Sequence, residues 1–320
     1  MFFDGLNNRG HTLSYVQAES PELSLKKFGE YLYDNIILFA PSTEDFVAIS
    51  FDEITEFTSN GGNILMAVNG DMTESMRAFA ESCGVEFDAK STSVIDHFVN
   101  EPSVDPRLAM MLRCTQIPLP LRSSHNTDSF YFSLQGVGVL SSNYLKTSPV
   151  LGGYSASSQP APVLFRGIGH SVDASNILAI KALRGNPSTY SANPVKPIDD
   201  YPESTGADTL LVTALQARNN ARIVVTGSVD MFSNAFFRTK LSQSSNSESP
   251  YVGNELFCGS ITKWVFGEVG VLRFRDIIHN KVCYLSVYQP CFVQYFKLSV
   301  LFFSFSFPCL LFFDILLSFS

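Results

Sequence analysis

Hydrophobic and polar residues alternate in a regular order between residues 34 and 87. Three short apolar runs predict buried strands, and they read DNIILFAP, NILMAV and VEF. Two longer segments between them place apolar residues at helical spacing, and Gly61 and Gly84 follow them as expected for helix ends. Strand, helix, strand, helix, strand with short connections predicts an α/β fold, a mostly parallel sheet with helices on both faces.

The start of each predicted helix carries a capping signal. Ser42 and Thr43 precede the first helix, and their hydroxyls are suited to accept hydrogen bonds from its free N–H groups. Asp71 lies three residues before Glu74, which predicts a capping pair at the second helix. The predicted inner face of this second helix consists of Met72, Met76, Phe79 and Cys83.

The regular pattern is interrupted over residues 101–160, which are rich in proline, serine and glycine. A structureless stretch of this length is uncommon inside a compact domain, so we interpret it as an insertion. The predicted organisation is a first part of the α/β domain at 1–100, the insertion, a second part at 161–275, and a divergent tail at 276–320.

Regular elements return after the insertion. APVLFRGIG predicts a strand, and NILAIKALRG predicts a short helix or helical turn. Asp230 is expected to cap a helix that starts at Met231. NELFCGSITKWVFGEVGVLR predicts a helix that ends near Gly267, and its inner face consists of Phe257, Ile261, Trp264 and Val265.

The stretch QARNNARIVVT at residues 216–226 has two interpretations. Arg218 and Arg222 flank two asparagines, so the stretch is either a charged binding site or a turn that reverses the chain. Apolar runs lie on both sides, and asparagine tolerates the left-handed backbone of tight turns. This pattern predicts a β-hairpin whose strands are joined by Arg218-Asn219-Asn220.

The composition indicates a folded, acidic domain. Hydrophobic residues make up 45% of the chain and charged residues only 16%, so we expect a packed core. The formal net charge of −8 argues against a nucleic-acid-binding protein, because such proteins need a basic face. The 6 cysteines form no C-x-x-C motif and have no histidine at zinc-ligand spacing, so no structural metal site is predicted.

Residues 298–320 form a long apolar segment, LSVLFFSFSFPCLLFFDILLSFS. It is long enough to span a bilayer, which needs about 20 mainly apolar residues. Pro308 and Asp314 argue against a span, because proline kinks a helix and a carboxylate is costly in hydrocarbon. A membrane span and a tail that the fold does not use are both left open. At the other end, no basic region precedes an apolar core, so no cleavable signal peptide is visible.

Reactive groups are sparse in the sequence. The stretches GVGVLS and GIGHSV lack the third glycine of a dinucleotide-binding fingerprint, and Gly167 and Gly169 are expected to be turn glycines. There is no G-x-S-x-G motif, and Cys83 at the end of a predicted helix offers no scaffold for a Cys–His mechanism. We therefore predict no catalytic, cofactor-binding or metal-ligating residue.

The best acid–base candidate is the pair Asp96-His97, which follows a predicted strand where open α/β sheets bind their ligands. Neighbouring residues of a strand point to opposite faces, however, so the two cannot both reach one substrate unless the strand has ended. A polar strand end with satisfied hydrogen bonds is therefore the preferred interpretation. A second acidic pair, Asp199-Asp200, lies among prolines and is expected to belong to a solvated loop.

Several long strings resemble one known family. They are, in chain order, EYLYDNIILFAPSTEDF, FTSNGGNILMAVNGDMTESMRAFAESCGVEFD, TSVIDHF, APVLFRGIGHSVD, TLLVTALQARNNARIVVTGSVDMFSNAFF and NELFCGSITKWVFGEVGVLR. They resemble the lumenal domain of the non-catalytic forty-eight-kilodalton subunit family of eukaryotic oligosaccharyltransferase. The resemblance covers about residues 10–100 and 145–275, and it is most specific at LQARNNAR, GSVD and KWVF.

The resemblance implies a glutamine-amidotransferase-like fold without a working nucleophile, held in the endoplasmic reticulum membrane by one span with its bulk in the lumen. It implies a structural subunit that supports transfer of a preassembled oligosaccharide from dolichyl diphosphate to asparagine in N-x-S/T sequences of nascent proteins. The expected partners are the other subunits and this membrane; neither nucleic acid nor a cofactor is expected. Arg218 and Arg222 are then expected to anchor the turn or to face a partner subunit.

The chain also departs from the family pattern. The family's signal peptide and first strand are not found before the matched region, residues 101–144 match poorly, and the family's β-rich region after about Arg275 is replaced. The resemblance thus implies a form that is divergent or truncated at both ends. Two alternatives are kept: a free enzyme of amidotransferase-like ancestry, and a soluble α/β adaptor whose hydrophobic tail is an artefact.

Overall fold

The computed structural model describes the chain in segments. These are residues 1–18, 20–21, 23–39, 46, 48–98, 100–101, 138–145, 148–152, 160–194, 201–241, 251–271, 273–283, 292–301 and 312–315. The chain divides into two compact units, Met1–Phe266 and Gly267–Ser320, and each is described by itself.

The first unit consists mainly of one sheet and the helices that cover it. Its helices are α1 (Phe2–Asn8), α2 (Phe51–Ser59), α3 (Glu74–Ser82), α4 (Asn234–Phe237) and α5 (Asn254–Val265). Single 3₁₀ turns lie at Pro149–Leu151, Gly206–Asp208 and Asp230–Phe232. The strands are β1 (Lys26–Lys27), β2 (Glu30–Tyr31), β3 (Asn35–Leu38), β4 (Asn63–Ala67), β5 (Val85–Phe87), β6 (Ser93–Ile95), β7 (Asn100–Glu101), β8 (Gly138–Ser141), β9 (Asn143–Tyr144), β10 (Val163–Phe165), β11 (His170–Val172), β12 (Ala179–Arg184), β13 (Tyr190–Ala192), β14 (Leu210–Gln216) and β15 (Arg222–Thr226).

The main sheet is mixed, so the prediction of a mostly parallel sheet is wrong. β4 pairs in parallel with β3 and with β15. β14 pairs antiparallel with β15, β12 and β11, and the pairs β12–β9 and β11–β5 are antiparallel as well. Two strand pairings are responsible. β5 pairs antiparallel with β11 and does not lie beside β4. The hairpin β14–β15 reverses the direction of the chain within the sheet.

Helices cover both faces of this sheet, as β4 shows. Its residues Leu65 and Ala67 pack in one apolar cluster with side chains of α1 and α5. Its residues Ile64 and Met66 pack in a second cluster with side chains of α2 and α3. Because successive side chains of a strand point to opposite faces, the two clusters are the two sides of the sheet.

Helix α2 begins later than its predicted caps. Ser50 is the cap: its Oγ accepts a hydrogen bond from the Glu53 N–H at 3.2 Å, and the Glu53 carboxylate accepts one from the Ser50 N–H at 3.0 Å. This reciprocal pair is a capping box, which satisfies two free N–H groups of the first turn. Ser42 and Thr43 lie outside the described residues.

Helix α3 is also capped by a different residue from the predicted one. Thr73 accepts a hydrogen bond from the Met76 N–H at 3.5 Å, so the expected pairing of Asp71 with Glu74 is wrong. Asp71 lies two residues before the cap, where its side chain is exposed. The predicted inner face is buried at Met72, Met76 and Phe79 and half-buried at Cys83.

Residues 179–184 form strand β12 and not the predicted short helix. β12 pairs with β14 along one edge and with β9 at its end. Its residues Ala182 and Leu183 are fully buried. Two neighbouring strands thus provide the hydrogen bonds of this segment, whereas a helix of this length is marginal by itself.

Part of the predicted insertion takes part in the fold. β8 pairs with β10 and β7, and β9 joins the main sheet through β12. Residues 102–137 lie outside the described residues, so the remainder of the insertion stays a prediction.

The second unit contains three antiparallel strands in its described part. They are β16 (Arg273–Cys283), β17 (Phe292–Leu301) and β18 (Phe312–Ile315). Of the predicted membrane span at 298–320, residues 298–301 and 312–315 lie in these strands, and the rest is outside the described residues. In the part of the chain that the structure describes, no helix combines the length and apolarity needed to cross a bilayer.

The predicted β14–β15 hairpin is confirmed, and its turn also caps α2. Asn220 adopts the left-handed conformation with φ +67°. The Asn219 side-chain amide donates to the carbonyls of Thr58 at 2.7 Å and Ser59 at 2.8 Å, both in the last turn of the helix. The two asparagines therefore have different roles: one provides the backbone turn and the other fixes the turn against α2.

Replacing Asn219 with alanine is expected to lower the free energy of unfolding by about 1 kcal/mol, because both exposed capping hydrogen bonds are lost. Asn220→Gly is the matched control and should change it by less than about 0.5 kcal/mol, because glycine adopts the same φ without strain. Urea unfolding of the full chain measures both. Equal effects of the two substitutions would contradict the division of roles.

Candidate functional site

The stretch QARNNARIVVT is a structural turn in which only one arginine is buried. The Arg222 guanidinium donates to the Trp264 carbonyl at 2.6 Å and lies 4.8 Å above the centroid of its indole ring. Its backbone N–H donates to the Asn63 side chain at 2.9 Å. Burial lowers the pKa of Arg222. Arg222 thus anchors the hairpin on the last turn of α5, while Arg218 is exposed.

Asp96 is a buried structural carboxylate. It accepts hydrogen bonds from the hydroxyls of Ser188 at 2.8 Å and Thr189 at 3.2 Å, and from the Phe98 N–H at 2.9 Å. The Asn186 amide approaches the same carboxylate at 3.5 Å. These hydrogen bonds connect the end of β6 to the segment before β13. The Asp96 carboxylate therefore has a structural role.

His97 has a different hydrogen-bond partner, Tyr190. Its side chain is exposed, and its Nε2 atom lies 2.8 Å from the Tyr190 hydroxyl. The structure therefore does not bring Asp96 and His97 together as an acid–base pair. It agrees with the preferred interpretation of a polar strand end whose hydrogen bonds are satisfied.

His170 is a second buried polar residue, which the sequence did not single out. His170 is fully buried in β11, and its Nε2 atom lies 2.7 Å from the Thr213 hydroxyl. Its Nδ1 atom has no hydrogen-bond partner among the described residues. Burial lowers the pKa of His170 to about 3, so the ring is neutral near neutral pH. The predicted strand APVLFRGIG ended at Gly169, so no pattern in the sequence marked His170 as buried.

The adjacent carboxylate, Asp88, lies beside this histidine's strand. Its Oδ2 atom accepts a hydrogen bond from the Ser204 hydroxyl at 3.1 Å, and Ser204 in turn contacts Thr209 at 3.1 Å. Burial raises the pKa of Asp88, and the neighbouring hydroxyls oppose this shift. These hydrogen bonds join the end of β5 to the segment before β14. The donors are neutral hydroxyl groups, so the contacts stabilise the fold.

Gly167 and Gly169 are required by close packing and are not left-handed turn glycines. A Cβ atom on Gly167 would lie closer than 3.0 Å to the Gly227 carbonyl oxygen, and one on Gly169 would meet the Asp88 carboxylate. The Ile168 N–H donates to the Gly227 carbonyl at 3.0 Å, so two loops touch backbone to backbone here. Glycine is needed at such a crossing because any side chain would separate the two loops.

The GSVD stretch next to this crossing forms an ion pair and not the predicted cap. Asp230 is the first residue of a 3₁₀ turn, and its carboxylate lies 2.8 Å from the Nε and NH2 atoms of Arg166. The Arg166 guanidinium also lies 5.4 Å from the Phe236 ring centroid. The following helix, α4, is instead capped by Ser233, which accepts from the Phe236 N–H. GSVD thus fixes β10 against the end of β15.

A surface groove of about 750 Å³ lies between the first turn of α2 and the side of α3. Its described lining consists of Phe46, Ala48, Ile49, Ser50, Phe51, Asp52, Glu53, Thr55, Ser75, Ala78, Phe79 and Ser82. This described part of the lining contains no histidine, cysteine, lysine or arginine, and neither Asp96-His97 nor His170 belongs to it.

The remaining candidates of the sequence are Cys83 and the pair Asp199-Asp200. Burial raises the pKa of the Cys83 thiol, which follows the last turn of α3 and stays protonated near neutral pH. Asp199-Asp200 lies outside the described residues. Among the residues that the structure describes, no group of three or more histidine, cysteine, aspartate or glutamate side chains is arranged to hold a metal ion.

These features define a class: a mixed α/β domain in which buried polar side chains bind one another and fix the loops at the ends of its strands. Comparison with known proteins gives the family. The model of the OST48 N-terminal domain matches residues 1–159 and 116–268. The chain therefore belongs to the OST48 family.

Relatives from three organisms support this assignment. The chain is 36% identical over 285 residues to the dolichyl-diphosphooligosaccharide–protein glycosyltransferase 48 kDa subunit of Danio rerio, covering 88% of the chain and 58% of the relative. Its identity to the subunit of the same name is 35% over 283 residues in Drosophila melanogaster and 34% over 289 residues in Arabidopsis thaliana. Both alignments cover 88% of the chain. They cover 57% of the Drosophila melanogaster relative and 58% of the Arabidopsis thaliana relative. The chain thus spans less than two thirds of the length of these relatives.

Proposed function

We propose that this chain acts as a non-catalytic structural subunit of the oligosaccharyltransferase complex. In this role it supports transfer of a preassembled oligosaccharide from dolichyl diphosphate to asparagine in N-x-S/T sequences. The observation that carries the proposal is family membership over residues 1–268. The relatives are named as a glycosyltransferase subunit, and the partners proposed here are the other subunits of that complex.

The non-catalytic assignment is supported by the way the polar side chains are used. Asp96 accepts hydrogen bonds from hydroxyl and N–H donors of the fold, and His97 contacts the Tyr190 hydroxyl. His170 is buried away from the groove between α2 and α3. These contacts support a role in holding an assembly together. The glutamine-amidotransferase-like ancestry of the fold stays a prediction.

The proposed location is the endoplasmic reticulum membrane, with the bulk of the chain in the lumen. The proposal follows the family assignment. Alkaline extraction of membranes tests it: a chain held by a span stays in the pellet, and release into the supernatant would favour the alternative of a soluble adaptor.

Co-purification tests the proposed function directly. The full tagged chain is expressed in cells depleted of their own 48 kDa subunit and recovered from detergent-solubilised microsomes. We expect the other subunits to co-purify and an N-x-S/T reporter to regain its glycan. A well-expressed chain that recovers no other subunit would contradict the proposal.

The variant His97→Ala separates a structural role from a catalytic one. Because His97 is exposed and bonded to Tyr190, we expect reporter glycosylation to change by less than about twofold, within ordinary surface effects. A loss of about a hundredfold or more, typical for a general acid–base residue, would instead support the free-enzyme alternative.

A further inference from the structure

The hairpin β1–β2 carries an exposed aromatic side chain at its tip. Lys27 pairs with Glu30, which leaves Phe28-Gly29 as a two-residue turn. The Phe28 side chain is 97% exposed. The contact that the structure gives its ring is the Lys27 ammonium group, 5.7 Å from the ring centroid. The ring is therefore presented to the outside together with a cation.

The backbone of this turn is unusual for the residue it holds. Phe28 has φ +54° and Gly29 has φ +87°. Two-residue turns with positive φ at both positions favour asparagine or glycine, and a bulky residue at the first position is an outlier. Strain of this kind persists only where something requires it, and it is enriched at ligand-binding positions. The described core does not require it, because the ring is not buried.

The base of the hairpin is fixed on helix α2. The Tyr31 ring packs edge-on against Phe57 with centroids 5.3 Å apart, and its hydroxyl accepts a hydrogen bond from Asn60 at 3.1 Å. Lys26 forms an ion pair with Glu56 at 2.7 Å. The tip is therefore held in one orientation before any partner binds, which reduces the entropy lost on binding.

We propose that Phe28 is the anchor by which this hairpin docks into an apolar pocket of another polypeptide. The pocket accommodates one phenyl ring and has an acidic group at its mouth for Lys27. The inference goes beyond the proposed function by naming a docking surface, and it rests on that function only in placing the partner among the other subunits.

The observations favour a protein partner over a lipid surface. The tip offers a single large apolar side chain, and Glu30 lies directly opposite Lys27 in the hairpin. The chain has a net charge of −8, which is unfavourable near anionic headgroups. Aromatic side chains, phenylalanine included, are instead enriched at interfaces between proteins.

Site-specific photocrosslinking identifies what covers the tip. Benzoylphenylalanine is placed at position 28 of the full chain in microsomes, and at position 177 as a control. The wild-type Ile177 is 90% exposed and lies in the loop between β11 and β12. We expect position 28 to form one discrete adduct with another subunit, and position 177 not to form it. Adducts with lipid, adducts with a second copy of the chain, or no adduct at position 28 would each overturn the proposal.

The variant Phe28→Asn tests the same surface without a crosslinker. Asparagine suits the turn, so the urea midpoint of the chain should rise, while recovery of the crosslinked subunit should fall about 30-fold, as for a hot-spot residue. Ile177→Asn is the control and should change recovery by less than about twofold. If Phe28→Asn raises the urea midpoint but leaves recovery of the crosslinked subunit unchanged, the turn is strained and the proposed docking role of Phe28 is wrong.

The two proposals fail in different ways. If the wild-type chain recovers the other subunits but Phe28→Asn recovers them equally well, only the hairpin proposal fails. If the wild-type chain recovers none, the proposed function fails, and the partner named here fails with it. An unchanged or lower urea midpoint for Phe28→Asn contradicts the strain from which the inference begins.

Discussion

Gly227→Ala is expected to destabilise the domain by at least about 3 kcal/mol, because its new methyl group has no space. A Cβ atom at this position would lie closer than 3.0 Å to the carbonyl oxygen of Ile168. The obstructing atoms belong to the backbone of the opposite loop, so they cannot move aside as a flexible side chain would. Separating the loops would also lengthen the hydrogen bond from the Ile168 N–H to the Gly227 carbonyl.

Gly259→Ala provides the matched control for this prediction. It makes the same chemical change within helix α5, where nothing lies within 4 Å of the added Cβ atom. Alanine in a helix is favoured over glycine by roughly 0.5–1 kcal/mol, so this variant should be more stable than the wild type. Urea unfolding, monitored by tryptophan fluorescence, measures both variants; Trp264 is the single tryptophan of the chain. A loss below about 1 kcal/mol for Gly227→Ala would contradict the close crossing.

Gly167→Ala should behave like Gly227→Ala, because both methyl groups would enter the same crossing. The double variant is then expected to lose less stability than the sum of the two single losses, since the loops need to separate only once. The crossing fixes the start of β11 against the end of β15, so the effect reaches the centre of the main sheet.

Elements with strong local signals could be predicted from the sequence. Apolar runs located β3, β4 and β5, and helical spacing located α2, α3 and α5. The asparagine pair located the β14–β15 turn, because the left-handed conformation of Asn220 is a local property. For these elements, periodicity and turn chemistry were sufficient to predict that each exists and whether it is a helix, a strand or a turn.

Features that depend on distant partners could not be predicted. Residues 179–184 have apolar spacing that fits a short helix, but the edge of β14 is available to them and they form a strand. The direction of β5 likewise follows from its pairing with β11. Gly167 was expected to be a turn glycine, whereas glycine is required there because the carbonyl oxygen of Gly227 leaves no room for a side chain.

The candidate site shows the same limit. Alternation along a strand argued against a joint role of Asp96 and His97, but β6 ends at Ile95, so that argument does not apply to them. It did not show that Asp96 would be bound by Ser188 and Thr189, which are distant in sequence. Nor did it single out His170, whose burial depends on strands from both parts of the domain.

His170 is expected to make the domain lose about 3 kcal/mol of stability between pH 7 and pH 4. Its pKa is about 3 in the folded state, against about 6.5 in the unfolded state. Between these values the unfolded chain binds a proton that the folded chain does not, so stability rises with pH over this window. The contribution is complete above the unfolded pKa and is lost as the pH falls towards the folded one.

Two comparisons isolate this contribution from other titrating groups. His170→Gln removes the titration, so the difference in unfolding free energy between pH 7 and pH 4 should shrink by about 3 kcal/mol, whatever the variant costs at pH 7. His97→Gln makes the same chemical change at an exposed position and should change the free energy of unfolding at pH 7 by less than about 0.5 kcal/mol. The raised pKa of Asp88 acts in the opposite direction, because its proton stabilises the folded state at low pH. A wild-type pH profile that matches that of His170→Gln would show that this histidine is accessible to protons in the folded domain.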